Sequence, residues 1–171
     1  MRAPTLRPQV GKMAAALVAA GCLAAPALQA GTADVQFVEP EKYADARDNL
    51  HRREDVLKEL ATRLQQLAEK RLPASQSLRI EVLDVDLAGD AFPRIALRDT
   101  RVMRGRADWP RMHLRYTLRE GDKVIKSGED HIADMNYLMN NTRHWQDEPF
   151  PYEKRMLDRW FNETFSVASA R

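Results

Sequence analysis

The stretch whose residue types come closest to a chemical site is DVDLAGD, residues 84–90. Three aspartates and a glycine at this spacing resemble the start of a calcium-binding loop, in which carboxylate oxygens at alternating positions surround the ion. With Asp84 at the first position, the fifth position is Ala88 and the twelfth is Ile95. Because the bidentate carboxylate that closes such a loop is missing, we predict no metal site and no cofactor here.

A second candidate is the arginine-rich segment between residues 94 and 119, which contains eight arginines and two aspartates. Arg111, Arg115 and Arg119 have the parity that places side chains on one face of a strand. Guanidinium groups in such a row can bind phosphate or carboxylate, as in an anionic glycolipid or a cell-wall polymer. The alternative is neutralisation by carboxylates on neighbouring strands, for which the candidates are Glu81, Asp84, Asp86, Glu129 and Asp130.

A third candidate is the polar and aromatic segment of residues 134–150. Tyr137, His144 and Trp145 lie among asparagines, a mixture that can stack on sugars or peptides and hydrogen-bond to their edges. The alternative is that Tyr137, Leu138 and Trp145 anchor the segment onto the core while the asparagines satisfy turns. The candidate ligand-binding residues are therefore Arg111, Arg115, Arg119, Tyr137, His144 and Trp145.

Signals of catalysis are sparse in this sequence. No serine lies in a nucleophile elbow, and the four histidines lack metal-ligand spacing such as HExxH. His131, beside Asp130 and Asp134, is the arrangement that comes closest to a general acid/base pair. A non-catalytic binding protein is therefore the preferred hypothesis, and a small periplasmic hydrolase with a His–Asp site is the alternative.

The first thirty residues predict export. Basic residues precede an apolar run over residues 13–25, and small residues close the segment, which is the layout of a secretory signal peptide. The apolar run is too short to span a bilayer as a helix. Cleavage after Ala30 leaves 141 residues, 31–171, which we expect to form a single periplasmic domain with no transmembrane segment.

Removing the leader changes the charge and the cysteine content. The leader has three basic and no acidic residues, so the mature chain has 24 basic and 25 acidic side chains and gives no argument for nucleic acid. Cys22 is the only cysteine, so the mature chain forms neither a disulfide nor a thiolate metal site. Cys22 also ends a VAAGC box resembling that of lipoproteins, although Ala19 replaces the usual leucine, and lipidation remains the alternative to cleavage.

Hydrophobic patterning predicts the elements that position these candidates. Residues 34–40 alternate as a short strand, and leucines recur at helical spacing from Val56 to Leu67 before Pro73. In the next strand the apolar parity switches between Val82 and Leu83. A β-bulge at that point would restore the register and turn the neighbouring aspartates outward, beside the arginines of the hairpin that follows.

The second half of the chain predicts more strands and a final helix. Residues 98–104 can form a short strand, and residues 111–133 alternate on both sides of a glycine-containing turn, which predicts a hairpin. Met156, Leu157, Trp160, Phe161 and Phe165 form one apolar stripe of a helix. We therefore expect an α+β fold: a mostly antiparallel sheet of four to five strands, with both amphipathic helices packed on one face.

Five stretches together resemble a bacterial family of exported proteins, the domain of unknown function three-zero-one-six (DUF3016). They are VQFVEPEKYADAR, IEVLDVDLAG, VMRGRADWPRMHLRYTL, GEDHIADMNYL and YEKRMLDRWF, and they extend over nearly all of the predicted mature chain. The resemblance implies no catalytic residue and no ligand. From the arginine row and the aromatic segment, we expect an envelope protein or an anionic glycolipid or cell-wall ligand as the partner.

Overall fold

The computed structural model describes residues 30–46, 52–92, 100–139 and 148–165, so the predicted leader, except for Ala30, lies outside the described residues. The elements follow the predicted order: β1 (Thr32–Phe37), a 3-10 turn (Pro40–Lys42), α1 (Arg53–Arg71), β2 (Gln76–Asp86), β3 (Asp90–Phe92), β4 (Thr100–Val102), β5 (Arg111–Glu120), β6 (Lys123–Ala133) and α2 (Pro151–Phe165). In this part of the chain, neither helix combines the length and the apolarity needed to cross a membrane.

The main sheet has four strands in the order β1-β2-β5-β6. The pairs β2–β5 and β5–β6 are antiparallel, whereas β1 pairs parallel with β2. A parallel pair needs a long crossover connection, and α1 lies in it. Strands β3 and β4 form a separate antiparallel ribbon. The α+β class and the mostly antiparallel sheet are confirmed, with one parallel pair that the sequence did not predict.

The predicted bulge in β2 is present. Its register against β5 shifts between Val82 and Asp84, which leaves Leu83 as the extra residue. As a result Val82 and Val85 are both buried, although they have opposite parity in the sequence. Asp84 then lies opposite His113 on β5 and shares the polar face of the sheet.

A single hydrophobic core includes the apolar stripes of both helices and alternate side chains of the central strands. The strand residues with the other parity on β5 are exposed or half-buried. The sheet therefore has one apolar face and one polar face. The buried side chains are Val56, Leu57, Leu60, Leu64 and Leu67 from α1, Leu78, Ile80, Val82 and Val85 from β2, Met112, Leu114, Tyr116 and Leu118 from β5, and Met156, Leu157, Trp160, Phe161 and Phe165 from α2.

Trp160 joins α2 to the edge of the sheet. Its ring makes edge-to-face contacts with Tyr116 and Phe165, at centroid distances of 5.8 and 5.4 Å. Its indole N–H donates to Asp130 Oδ2 on β6 at 2.8 Å. The Trp160 side chain therefore packs against other aromatic rings and also donates a hydrogen bond to a carboxylate of β6.

We predict that Trp160→Ala lowers the free energy of unfolding by about 3–5 kcal/mol, because it leaves a cavity among aromatic rings. The measurement is urea unfolding followed by circular dichroism. Met139→Ala is the control, since Met139 is 85% exposed and its truncation should change stability by less than about 0.5 kcal/mol. A Trp160→Ala variant that unfolds like the wild type would show that the fold closes without this helix stripe.

Candidate functional site

The three arginines of the predicted row lie on the exposed side of β5, and each has a partner. Arg111 donates through Nε to Asp86 Oδ2 at 3.0 Å. Arg115 donates to Glu129 Oε2 at 2.9 Å and to Glu81 Oε2 at 3.2 Å. The Arg119 guanidinium donates to a backbone carbonyl in the hairpin turn at 2.7 Å. Three of the five carboxylates expected to neutralise the row therefore do so, namely Glu81, Asp86 and Glu129.

The other two carboxylates have different roles. Asp84 Oδ1 accepts the backbone N–H of Ala44 at 2.8 Å, which fixes the chain after β1 against β2. Asp130 accepts the Trp160 indole N–H. Within the described residues, no group of three or more His, Cys, Asp or Glu side chains is arranged to hold a metal ion. Of the aspartates in DVDLAGD, Asp84 contacts the chain after β1, Asp86 pairs with Arg111 on β5 and Asp90 pairs with Arg104 at 3.9 Å.

The centre of the row is electrostatically compensated. The hydrogen bond and charge of Glu129, together with Glu81, raise the pKa of the Arg115 guanidinium. In turn the hydrogen bonds from Arg115 and His113 lower the pKa of Glu129. Because the positive charge of Arg115 lies between two carboxylates, an incoming anion would have to compete with both of them.

The His–Asp pair of the hydrolase hypothesis is not brought together. His131 lies opposite His113 on the polar face, and their rings stack at a centroid distance of 3.7 Å and an interplanar angle of 18°. Asp130 points to the other face of β6, because successive strand residues alternate. Asp134 is buried in an ion pair with Arg155. Neither carboxylate is therefore placed as the partner of His131.

Tyr137 is an internal anchor of the segment after β6. Its side chain is 1% exposed and its ring packs edge-on against Tyr152 at 5.0 Å. Its hydroxyl accepts the backbone N–H of Gly105 at 3.2 Å and bonds to Asp108. This burial favours the alternative in which Tyr137 anchors the segment onto the core. His144 and Trp145 lie outside the described residues.

The same segment exposes three large apolar side chains, including Leu138, which the alternative hypothesis had placed against the core. Met135, Leu138 and Met139 are 68%, 45% and 85% exposed. Gly105, at a φ of +67°, approaches so closely that a Cβ atom there would lie 3.0 Å from Leu138 Cδ1. Two segments, residues 103–107 and 135–139, therefore form one surface, which we call the methionine surface: Met103, Arg104, Arg106, Met135, Leu138 and Met139.

A buried carboxylate holds the second of these segments. Asp134 is 2% exposed, and it accepts hydrogen bonds from Arg155 and, at 3.4 Å, from Arg159 on α2. Arg155 also donates to the carbonyl of Tyr137 at 2.9 Å. Burial by itself raises the pKa of Asp134, but the bonds to and charges of the two arginines outweigh burial, so its pKa lies below the ordinary 3.8.

A second carboxylate holds the first segment. Asp108 accepts the backbone N–H groups of Arg104 at 2.6 Å and of Arg106 at 2.8 Å. Burial raises the pKa of Asp108, but these hydrogen bonds and the one from the Tyr137 hydroxyl lower it by more. The pKa of Asp108 therefore lies below its ordinary value. The backbone beneath the methionine surface is therefore fixed by hydrogen bonds, while the apolar side chains above it face solvent.

We predict that Asp134→Asn lowers the free energy of unfolding at pH 7 by about 1.5–3 kcal/mol, the usual contribution of hydrogen bonds to charged groups. Because the folded-state pKa of Asp134 is depressed, its stabilisation is present above pH 3.8 and is lost as pH falls through the folded-state pKa. The free energy of unfolding of Asp134→Asn should therefore fall less than that of the wild type when the pH is lowered.

Urea unfolding at pH 7 and at pH 3 measures this difference. Asp122→Asn is the control, because Asp122 is an exposed aspartate in the hairpin turn and undergoes the same change of charge. The account of Asp134 is contradicted if the stability gap between Asp134→Asn and the wild type is the same at both pH values.

Comparison with known proteins gives one match. No curated protein and no solved structure matches the chain. The model of the family described as "Protein of unknown function (DUF3016)" matches residues 31–163, a range that begins just before β1 and ends within α2. This match confirms the resemblance seen in the five sequence stretches. The chain belongs to the DUF3016 family of proteins of unknown function.

Proposed function

We propose that this protein is an exported, non-catalytic binding protein of the bacterial envelope, and that it binds an anionic amphiphile such as a glycolipid through the methionine surface. The observation that carries the proposal is the exposure of Met135, Leu138 and Met139 on a backbone that hydrogen bonds hold in place. Export is supported by the leader-like first thirty residues.

Apolar exposure at this position favours binding. Single exposed apolar residues are ordinary, but a contiguous exposed cluster is typical of an interaction site. Covering such side chains contributes about 25 cal/mol for each Å² removed from water. Methionine is unbranched and polarisable, so it adapts to irregular apolar partners such as acyl chains.

The charges beside the apolar cluster favour an anionic ligand. Arg104 and Arg106 are exposed in the segment next to Leu138, and residues 103–107 and 135–139 contain no carboxylate. Arg104 is about half-exposed at its side chain and also forms an ion pair with Asp90 at 3.9 Å. Arginine beside apolar side chains matches a molecule that carries phosphate or carboxylate next to acyl chains.

The arginine row on β5 is less suited to bind the same anionic ligand. Arg111 and Arg115 already contact Asp86, Glu81 and Glu129, and binding there would expose or displace these carboxylates. We therefore assign ligand binding to the methionine surface and treat the row as sheet electrostatics. The two sets of arginines provide a matched comparison, since each can lose two positive charges.

Vesicle flotation tests the proposal with phosphatidylcholine vesicles that either contain lipopolysaccharide or lack it. The wild type should float only with the anionic vesicles, and its binding should weaken as salt rises, because salt screens the charges. Arg104→Ala/Arg106→Ala should reduce affinity by about 10- to 30-fold, since each arginine near an anionic surface contributes about 1 kcal/mol. Met135→Ser/Leu138→Ser/Met139→Ser should abolish flotation.

The matched control is Arg111→Ala/Arg115→Ala, which removes the same charge from the compensated row and should bind like the wild type. Loss of binding in this control, with the serine variant unchanged, would move the site to the sheet face. A wild type that does not float with either vesicle would exclude a lipid ligand and leave an envelope protein as the partner to be sought.

A further inference from the structure

Strand β6 forms one edge of the four-stranded sheet and is 11 residues long. Residues 123–127 of this strand are all exposed, and they include Val124 and Ile125, which are 46% and 40% exposed. An edge strand presents a row of backbone N–H and C=O groups that can pair with another strand. The exposed apolar residues at one end of β6 also favour contact with a further strand.

We propose that β6 pairs antiparallel with β6 of a second copy of this chain, about a twofold axis at Gly128. The two sheets then join into one continuous sheet of eight strands, twice the four of a single chain. In this register Lys126 of each copy lies opposite Asp130 of the other, and Ser127 lies opposite Glu129. A twofold axis makes every contact occur twice, so the dimer contains two Lys126–Asp130 pairs.

Charge selects this register over its neighbours. Residues that lie opposite each other on adjacent strands project from the same face of the sheet, and residues along one strand alternate between the two faces. The twofold axis must therefore lie at one residue, which pairs with its own copy, and not between two neighbouring residues. An axis at Lys126, Glu129 or Asp130 would place that charged residue directly opposite itself, which is destabilising. An axis at Ser127 would form no pair of opposite charges within the segment. The axis at Gly128 brings opposite charges together and has no side chain at its centre.

Lys126 and Asp130 can form this ion pair in addition to the hydrogen bonds that they make within their own chain. Lys126 Nζ donates to the carbonyl of Thr164 at the end of α2, and an ammonium group has three donors. Asp130 Oδ2 accepts from Trp160, and a carboxylate accepts several hydrogen bonds. Both residues lie opposite buried residues of β5, Lys126 opposite Leu118 and Asp130 opposite Leu114, so they project from the same face of the strand.

A bulge in β6 limits the length of the pairing. The register against β5 shifts because Leu118 pairs with Lys126 and Arg119 with Val124, so Ile125 is the extra residue. Bulges on an edge strand interrupt further pairing. The ladder therefore centres on residues 126–130, and the exposed Val124 and Ile125 lie just beyond it, next to Ile132 and His131 of the second copy. An interface this short predicts a weak, concentration-dependent dimer.

Charge exchange tests the register. Lys126→Glu places Glu opposite Asp130, and Asp130→Lys places Lys opposite Lys126, so each variant alone should be a monomer at concentrations at which the wild type is a dimer. An equimolar mixture of the two variants restores both pairs and should form a heterodimer. The double variant Lys126→Glu/Asp130→Lys should form a homodimer again. Sedimentation gives the mass of each sample, and native mass spectrometry separates heterodimer from homodimer.

Two controls make the result specific. Lys123→Glu changes the same charge at an exposed position of β6 outside the central ladder and should leave the dimer intact. Circular dichroism checks that Asp130→Lys folds, since it loses the Trp160 contact; if it does not, loss of the dimer in Lys126→Glu with retention in Lys123→Glu remains the test. A wild type that stays monomeric at high concentration, or a mixture that forms no heterodimer from folded variants, would overturn the proposal.

Discussion

The extra residue Leu83 in β2 is the constraint on which the two faces of the sheet depend. Before it, the buried side chains include Ile80 and Val82, and after it, Val85. In an unbroken strand the residues after position 82 would face the opposite way, and Asp84 and Asp86 would point into the core. The bulge places the aspartates on the polar face and so allows Asp86 to meet Arg111.

The same register shift sets the orientation of the residues directly after β2, to which the first turn of α2 is bonded. After β2, Ala88 is buried and its N–H donates to Glu153 Oε1 at 2.7 Å, in the first turn of α2. Arg101 donates to the carbonyl of Ala88 at 3.0 Å and pairs with Asp45 at 2.7 Å. Burial raises the pKa of the Glu153 carboxyl. The start of α2 is thereby tied to the end of β2, and α2 in turn carries Arg155, which holds the segment of the methionine surface.

Local pattern in the sequence predicts some of these features and not others. The bulge, the β5–β6 hairpin and the stripe on α2 all follow from the periodicity of apolar residues over short distances. The parallel pairing of β1 does not, because a strand alternates in the same way in parallel and antiparallel sheets. The compensation of Arg115 by Glu81 and Glu129 depends on cross-strand register, so the sequence left it as one of two alternatives.

The methionine surface was missed for a different reason. Met135, Leu138 and Met139 have the spacing of a helix face, and apolar residues at such spacing usually face a core. In the structure Tyr137 takes the buried position of this segment, and its hydroxyl accepts the backbone N–H of Gly105, which is about thirty residues away in sequence. A signal was nevertheless present: three large apolar residues within five positions directly after a strand, in a segment rich in asparagine.

The most direct measurement of the central claim is methyl NMR of methionine-labelled protein with lipopolysaccharide-containing nanodiscs. Met112 and Met156 are 4% and 1% exposed and serve as internal controls, whereas Met135 and Met139 are on the methionine surface. The account predicts that the methyl signals of Met135 and Met139 shift or broaden while those of Met112 and Met156 do not. Unchanged Met135 and Met139 signals, together with shifted amides around Arg111 and Arg115, would contradict it.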